Sequence, residues 1–130
     1  MKMLVAYDGS NSALNALKTA VSYAKVFHAT ICVVASLYGD KEDSKVKIEE
    51  VEEQLKKAEA LVKKEGIPCD GHLLIRSMVP GEDILRFAEK HRVDQIYIGI
   101  KHRSKVGKLL FGSNAQHIIL NAPCPVVSVR

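Results

Sequence analysis

The sequence has no tryptophan and few aromatic residues, and none of those few lies in its most basic stretch, residues 101–108. A nucleic-acid groove needs rings to stack on bases and a broad cationic stripe. Here the formal net charge is only +4, and much of the excess sits in that one stretch. Nucleic acid is therefore not the expected partner; a mild local excess suits a small anion. Cysteines number three, Cys32, Cys69 and Cys124, an odd and widely spaced set with no Cys-x-x-Cys. They read as reduced thiols of a cytoplasmic protein rather than a disulfide framework. None of the five histidines has a partner four residues away, which argues against a zinc site. No apolar run approaches a membrane span, and the run at Met1–Asp8 is too short for a signal peptide. These absences leave one domain, residues 1–130, long enough for a single core.

What the sequence does have is an alternation of two hydrophobic periods. Lys2–Tyr7 is an apolar run of strand formers that stops at Asp8-Gly9-Ser10. From Ser12 the period changes, and Ala13, Leu17, Ala20, Val21 and Ala24 share one helical face, closed at His28-Ala29. Thr30–Leu37 is nearly continuous in apolar residues, as expected of a strand buried on both faces of a parallel sheet. A polar loop, Tyr38–Ser44, leads to the longest helix, Lys45–Lys64, with Ile48, Val51, Leu55, Ala58 and Val62 in one stripe. The pairs Glu52–Lys56, Glu53–Lys57 and Glu59–Lys63 read as its solvated outer face. Gly66-Ile67-Pro68 ends that helix.

Gly71–Met78 reads as a third strand and Val79-Pro80-Gly81 as a turn. Glu82 or Asp83 then opens a helix with Ile84, Leu85, Phe87 and Ala88 inward. Val93–Gly99 is the fourth strand, Ser113–Asn121 the last helix and Cys124–Val129 the fifth strand. Pro125 near the start of that strand puts one of its sides at a sheet edge. Strands alternating with helices imply an α/β fold, with a parallel, doubly wound sheet and right-handed crossovers. Ligands of such sheets bind at the C-terminal strand ends, where strand order reverses. With the first and fourth strands as neighbours, Asp8 and Gly99 would face one crevice.

The rest of the chain reads as a frame for residues 99–113. A glycine at a strand exit lets backbone come close to a ligand. Lys101, His102, Arg103, Lys105 and Lys108 then surround Gly107, and Gly112-Ser113 leads into the last helix. Ser113 with Gln116 three residues on is a capping-box pattern. A helix start offers unpaired N–H groups and the positive end of the peptide dipoles. Cations, a close-approach glycine and a helix start together suit a phosphate group. Gly107-Lys108 does not make a P-loop, because His102 stands where the first glycine belongs and Leu109 where Ser or Thr belongs.

Asp8-Gly9-Ser10, Asp94-Gln95-Ile96-Tyr97-Ile98-Gly99, Gly112-Ser113 and Ala122-Pro123-Cys124-Pro125-Val126 together resemble the universal stress protein family from end to end. The resemblance implies the adenine nucleotide alpha hydrolase-like fold: a Rossmann-like, five-stranded doubly wound parallel sheet, helices on both faces, strand order 3-2-1-4-5. It implies a cytoplasmic, homodimeric stress-response module, paired through strand five, Pro125–Val129, and binding ATP or AMP, with Mg²⁺ at Asp8 if an ion accompanies the nucleotide. No covalent cofactor is implied. Asp8 would sit near the ribose or the ion, Ser36 near adenine through its backbone, and Ile98 and Gly99 beside ribose and base. Gly112, Ser113 and Asn114 would bind phosphates, largely through backbone N–H groups.

The family's nucleotide-binding pattern is glycine, two residues, glycine, nine residues, glycine, then serine or threonine. Gly99, Gly112 and Ser113 supply three of its positions, but His102 occupies the second glycine's place. A side chain there implies an atypical basic loop. Lys101, Arg103, Lys105 and Lys108 would then meet phosphate through side chains, Arg as a planar fork and Lys as a point charge. The competing reading is a nucleotide-free homodimeric interaction or signalling module of the same family, whose basic loop meets an acidic partner. Asp8 also suits an Asx turn, Ser113 a plain cap, Gly81 a turn, His117 a surface position and Cys124 an inert strand thiol. No serine or cysteine stands with a histidine and an acid in a recognisable catalytic pattern, so no enzyme is expected.

Overall fold

The computed structural model describes residues 1–38, 44–76, 79, 81–101 and 112–130. Its elements alternate: β1 (Lys2–Ala6), α1 (Asn11–Phe27), β2 (Thr30–Tyr38), α2 (Ser44–Lys64), β3 (Cys69–Arg76), α3 (Glu82–Lys90), β4 (Gln95–Gly99), α4 (Ser113–Asn121) and β5 (Val126–Val129). The strands form a five-stranded sheet in the order β3-β2-β1-β4-β5, as expected. All neighbouring pairs are parallel; Leu4 lies opposite Cys32 on one side and Ile96 on the other.

The continuous apolar runs are explained by burial on both faces. Met3, Val5, Ile31, Val33, Ala35 and Tyr97 pack under Ala16, Leu17 and Ala20 of α1 and Leu55, Ala58 and Val62 of α2. Their alternates Leu4, Cys32, Val34, Ile96 and Ile98 pack under Ile84, Leu85, Phe87 and Ala88 of α3 and Ala115 and Ile118 of α4. Each fully buried Leu or Ile contributes about 1.5–3 kcal/mol. The period-2 alternation of the strands thus divides the core into two layers, with helices on both faces. Among the described residues no helix is long and apolar enough to cross a membrane.

Several ends differ from the sequence-based expectation for identifiable reasons. β4 starts at Gln95 rather than Val93, because Val93 N–H still bonds Ala88 of the preceding helix at 2.9 Å. β5 starts at Val126 rather than Cys124, since Pro125 has no N–H to give to the ladder. β3 spans Cys69–Arg76 rather than Gly71–Met78; its pairing with β2 begins at Ile31 opposite Cys69. Residues 77 and 78 lie outside the described residues. α1 begins at Asn11 with Ser10 as its cap, one residue before the change of period. At the opposite end of the sheet from the crevice, the Asp94 carboxylate accepts from Lys2 N–H at 2.7 Å and joins the starts of β1 and β4.

Candidate functional site

The strand order reverses between β1 and β4, and a hollow of about 80 Å³ opens there. Its floor is the C-terminal ends of three strands: Ala6-Tyr7-Asp8 after β1, Val34 and Ser36 of β2, and Ile98-Gly99 of β4. Ala13, Ile84, Asn114, Ala115 and Ile118, from α1, α3 and α4, complete the walls. Five of the expected site residues, Asp8, Ser36, Ile98, Gly99 and Asn114, therefore meet in one place.

Asp8 makes the Asx turn expected of it: its Oδ1 accepts from Ser10 N–H at 2.9 Å. Gly9 follows at φ +80°, a conformation that suits glycine. Ser10 Oγ then caps α1 by accepting from Ala13 N–H at 3.2 Å. Burial pushes the Tyr7 phenol above its ordinary range, and the Asp8 charge adds to it.

Gly99 has a second role that the sequence did not reveal. A Cβ built there would lie 2.4 Å from Ser12 C and 2.5 Å from Ala13 N. The close approach this glycine permits is thus that of the first turn of α1, alongside any approach of a ligand.

At α4 the capping assignment needs correction. Gly112, at φ −65° and ψ 164°, is the N-cap, and Ser113 is the first helical residue. The first intrahelical bond runs from Gln116 N–H to Gly112 C=O at 3.0 Å. The N–H groups of Ser113, Asn114 and Ala115 precede it and have no partner further back along the helix. Gly112, Ser113 and Asn114 are exposed. The helix mouth therefore stands on the same side of the molecule as Asp8, with Asn114 in the wall of the hollow.

Lys101 is not in this hollow. It lines a neighbouring one of about 400 Å³ with Ser10, Asn11, Ser12, Asn15, Ile100 and Arg130. His102, Arg103, Lys105, Gly107 and Lys108 lie outside the described residues.

Asp83 escaped the sequence reading. It is buried, at 9% exposure, with Oδ1 accepting from Ile84 N–H at 2.9 Å and Oδ2 from the Ser36 hydroxyl. An acid in the first turn of a helix reads from sequence as a partner of the helix dipole, and nothing in the chain order links it to β2. Gly81, as expected, is a turn glycine, at φ +87°, and a Cβ there would meet Asn114 O at 3.0 Å. It brings the start of α3 against the first turn of α4.

The chain matches the Universal stress protein family over residues 1–130. A universal stress protein of Thermus aquaticus is 34% identical over 137 residues, which cover 98% of this chain and 97% of that one. The solved structure of a universal stress protein from Archaeoglobus fulgidus has a TM-score of 0.90 at 37% identity, covering 100% of this chain and 98% of that one. Another from Archaeoglobus fulgidus, solved in complex with dAMP, has a TM-score of 0.85 at 34% identity, covering 100% and 98%. Sequence and fold agree along the whole length in these likenesses, and the chain belongs to the universal stress protein family.

Proposed function

We propose that the protein binds an adenine nucleotide in the hollow between β1 and β4 and acts as a dimeric, cytoplasmic stress-response module. The observation that carries the reading is the meeting of Asp8, Ile98, Gly99 and Asn114 at the point where strand order reverses. The dAMP bound by a relative of 34% identity supports it. In this reading the base enters beside Val34 and Ser36, and the phosphates turn outward to the N–H groups of Ser113, Asn114 and Ala115. Lys101 reaches the phosphates from the neighbouring hollow. In this reading Arg103, Lys105 and Lys108 keep their expected role as side-chain contacts beside His102, with Gly112 giving the backbone its open approach.

Among the described residues lining the hollow, only Asp8 carries a carboxylate, and none is a histidine or a cysteine. That lining suits binding rather than catalysis. A single carboxylate fits an ion such as Mg²⁺ only together with phosphate oxygens, the usual manner of Mg²⁺ at nucleotides. The dimer reading rests on β5, whose partner among the described residues is β4 alone, so its outer edge is open. The free cysteines fit a reducing compartment.

Calorimetric titration with ATP and with AMP tests the reading. Heat and a raised Tm are expected with at least one of them. Neither heat nor a thermal shift at millimolar ligand would leave the nucleotide-free interaction module in its place.

A further inference from the structure

Val34 and Ser36 stand two apart on β2 and so share the α3–α4 face of the sheet. Val34 is fully buried, whereas Ser36 is half-buried in the lining of the hollow. The Ser36 hydroxyl donates to Oδ2 of the buried Asp83, whose Oδ1 is engaged by Ile84 N–H at 2.9 Å. A serine hydroxyl has one proton to give and two lone pairs to accept with. That one proton is engaged in the hydrogen bond to Asp83. Towards the hollow, Ser36 then has only acceptor capacity.

We infer that Ser36, held in this polarity by Asp83, makes the hollow selective for a 6-aminopurine over a 6-oxopurine. The inference rests on the nucleotide reading above and goes further in assigning the choice of base to a side-chain pair. An exocyclic amino group brings an N–H to the Ser36 lone pairs. A 6-oxo group brings another acceptor, and a desolvated acceptor with no donor is disfavoured. Among the described residues, the other polar side chains of the lining apart from Asp8 do not make this distinction. Asn114 both donates and accepts, and Tyr7 has a rotatable hydroxyl. Asp8, an acceptor, belongs to the turn after β1, one strand away from Ser36. Ser36 is thus the contact, and Asp83 is a positioning residue that acts through it.

The test is calorimetric titration of the wild type, Ser36→Ala and Asp83→Asn with adenosine and inosine monophosphates, with a thermal melt of each protein. The wild type is expected to prefer the adenosine form by at least about tenfold. Ser36→Ala loses affinity for the adenosine form alone, so the ratio falls to near one. Asp83→Asn keeps an oxygen for Ile84 N–H but turns an amide donor towards Ser36. The hydroxyl proton is then free for the ligand, and the preference narrows or inverts.

Either variant, folded by its melt, decides the matter. Equal binding of the two nucleotides by the wild type overturns the inference, as does a wild-type ratio retained by a folded variant. Both of those results leave nucleotide binding itself standing. Absence of binding by the wild type to either nucleotide overturns both readings.

Discussion

At the scale of the residue, two glycines with the same apparent meaning do different work. A side chain at Gly99 would enter the backbone of Ser12 and Ala13. Gly99→Val is therefore expected to destabilise the fold by about 1–3 kcal/mol, because α1 must move. The check is a lowered Tm in the absence of any ligand. Gly112 differs: its φ of −65° is open to any residue, and a Cβ there meets none of the described residues within 4 Å. Gly112→Val loses a favourable cap residue, at a cost of about 1 kcal/mol or less, but puts two methyls at the helix mouth. It should keep its melt nearly unchanged and lose affinity for AMP; titration of the folded variant with AMP at wild-type strength removes Gly112 from the site. Asp8 and Gly99 were legible from sequence because each ends an apolar run at a glycine turn or strand exit. Asp83 was not, since its partner Ser36 is 47 residues away and only the fold joins them.

At the scale of the element, hydrophobic period was a sufficient guide to type. The five residues of the predicted inner face of α1 are all buried, as are the four of that of α3. Ends were less legible, because they depend on which backbone N–H finds which carbonyl. Ser113 illustrates this: the capping-box spacing was present, yet Gly112 holds the cap. At α1 the cap is Ser10, and Ser10→Ala is expected to lower stability by about 1 kcal/mol, read as a drop in Tm.

β5 allows a test of the proposed dimer. Ile96 N–H bonds Pro125 O at 3.0 Å and Ile100 N–H bonds Val129 O at 2.7 Å. In a parallel ladder this pattern turns the N–H groups of Val126 and Ser128 away from β4. Ser128→Pro then removes an outward donor while sparing the β4–β5 ladder. The expected result by light scattering is a monomer with a near wild-type fold. A dimer unaffected by this proline would move the pairing surface elsewhere.

At the scale of the whole molecule, alternation alone gave a doubly wound parallel sheet, and the resemblance gave its order. Nothing local in β1 says that β4 rather than β3 is its neighbour. The two-layered core also sets the response to alkali. Burial pushes the Cys32 and Cys69 thiols from 9.0 up to about 12, with Asp70 adding at Cys32 and Glu59 at Cys69. Burial likewise pushes the Tyr97 phenol from 10.0 up to about 12, with Tyr23 adding. Unfolding frees these groups to lose protons at their ordinary values. Their contribution to stability is therefore whole below pH 9.0, the ordinary thiol value, and is lost as pH rises towards about 12. Melts taken at rising pH should show Tm falling from about pH 9 upward, and a Tm flat through about pH 11 would contradict the burial of these groups.

The seam between β4 and the start of α1 bears on how motifs in such chains are read. Because Ser12 and Ala13 already occupy the space beside Gly99, a relative that had abandoned its ligand altogether would still need glycine there. That letter certifies architecture. The letter at 112, with no described neighbour crowding it and an unexceptional backbone, is the one whose loss would announce a vanished cargo.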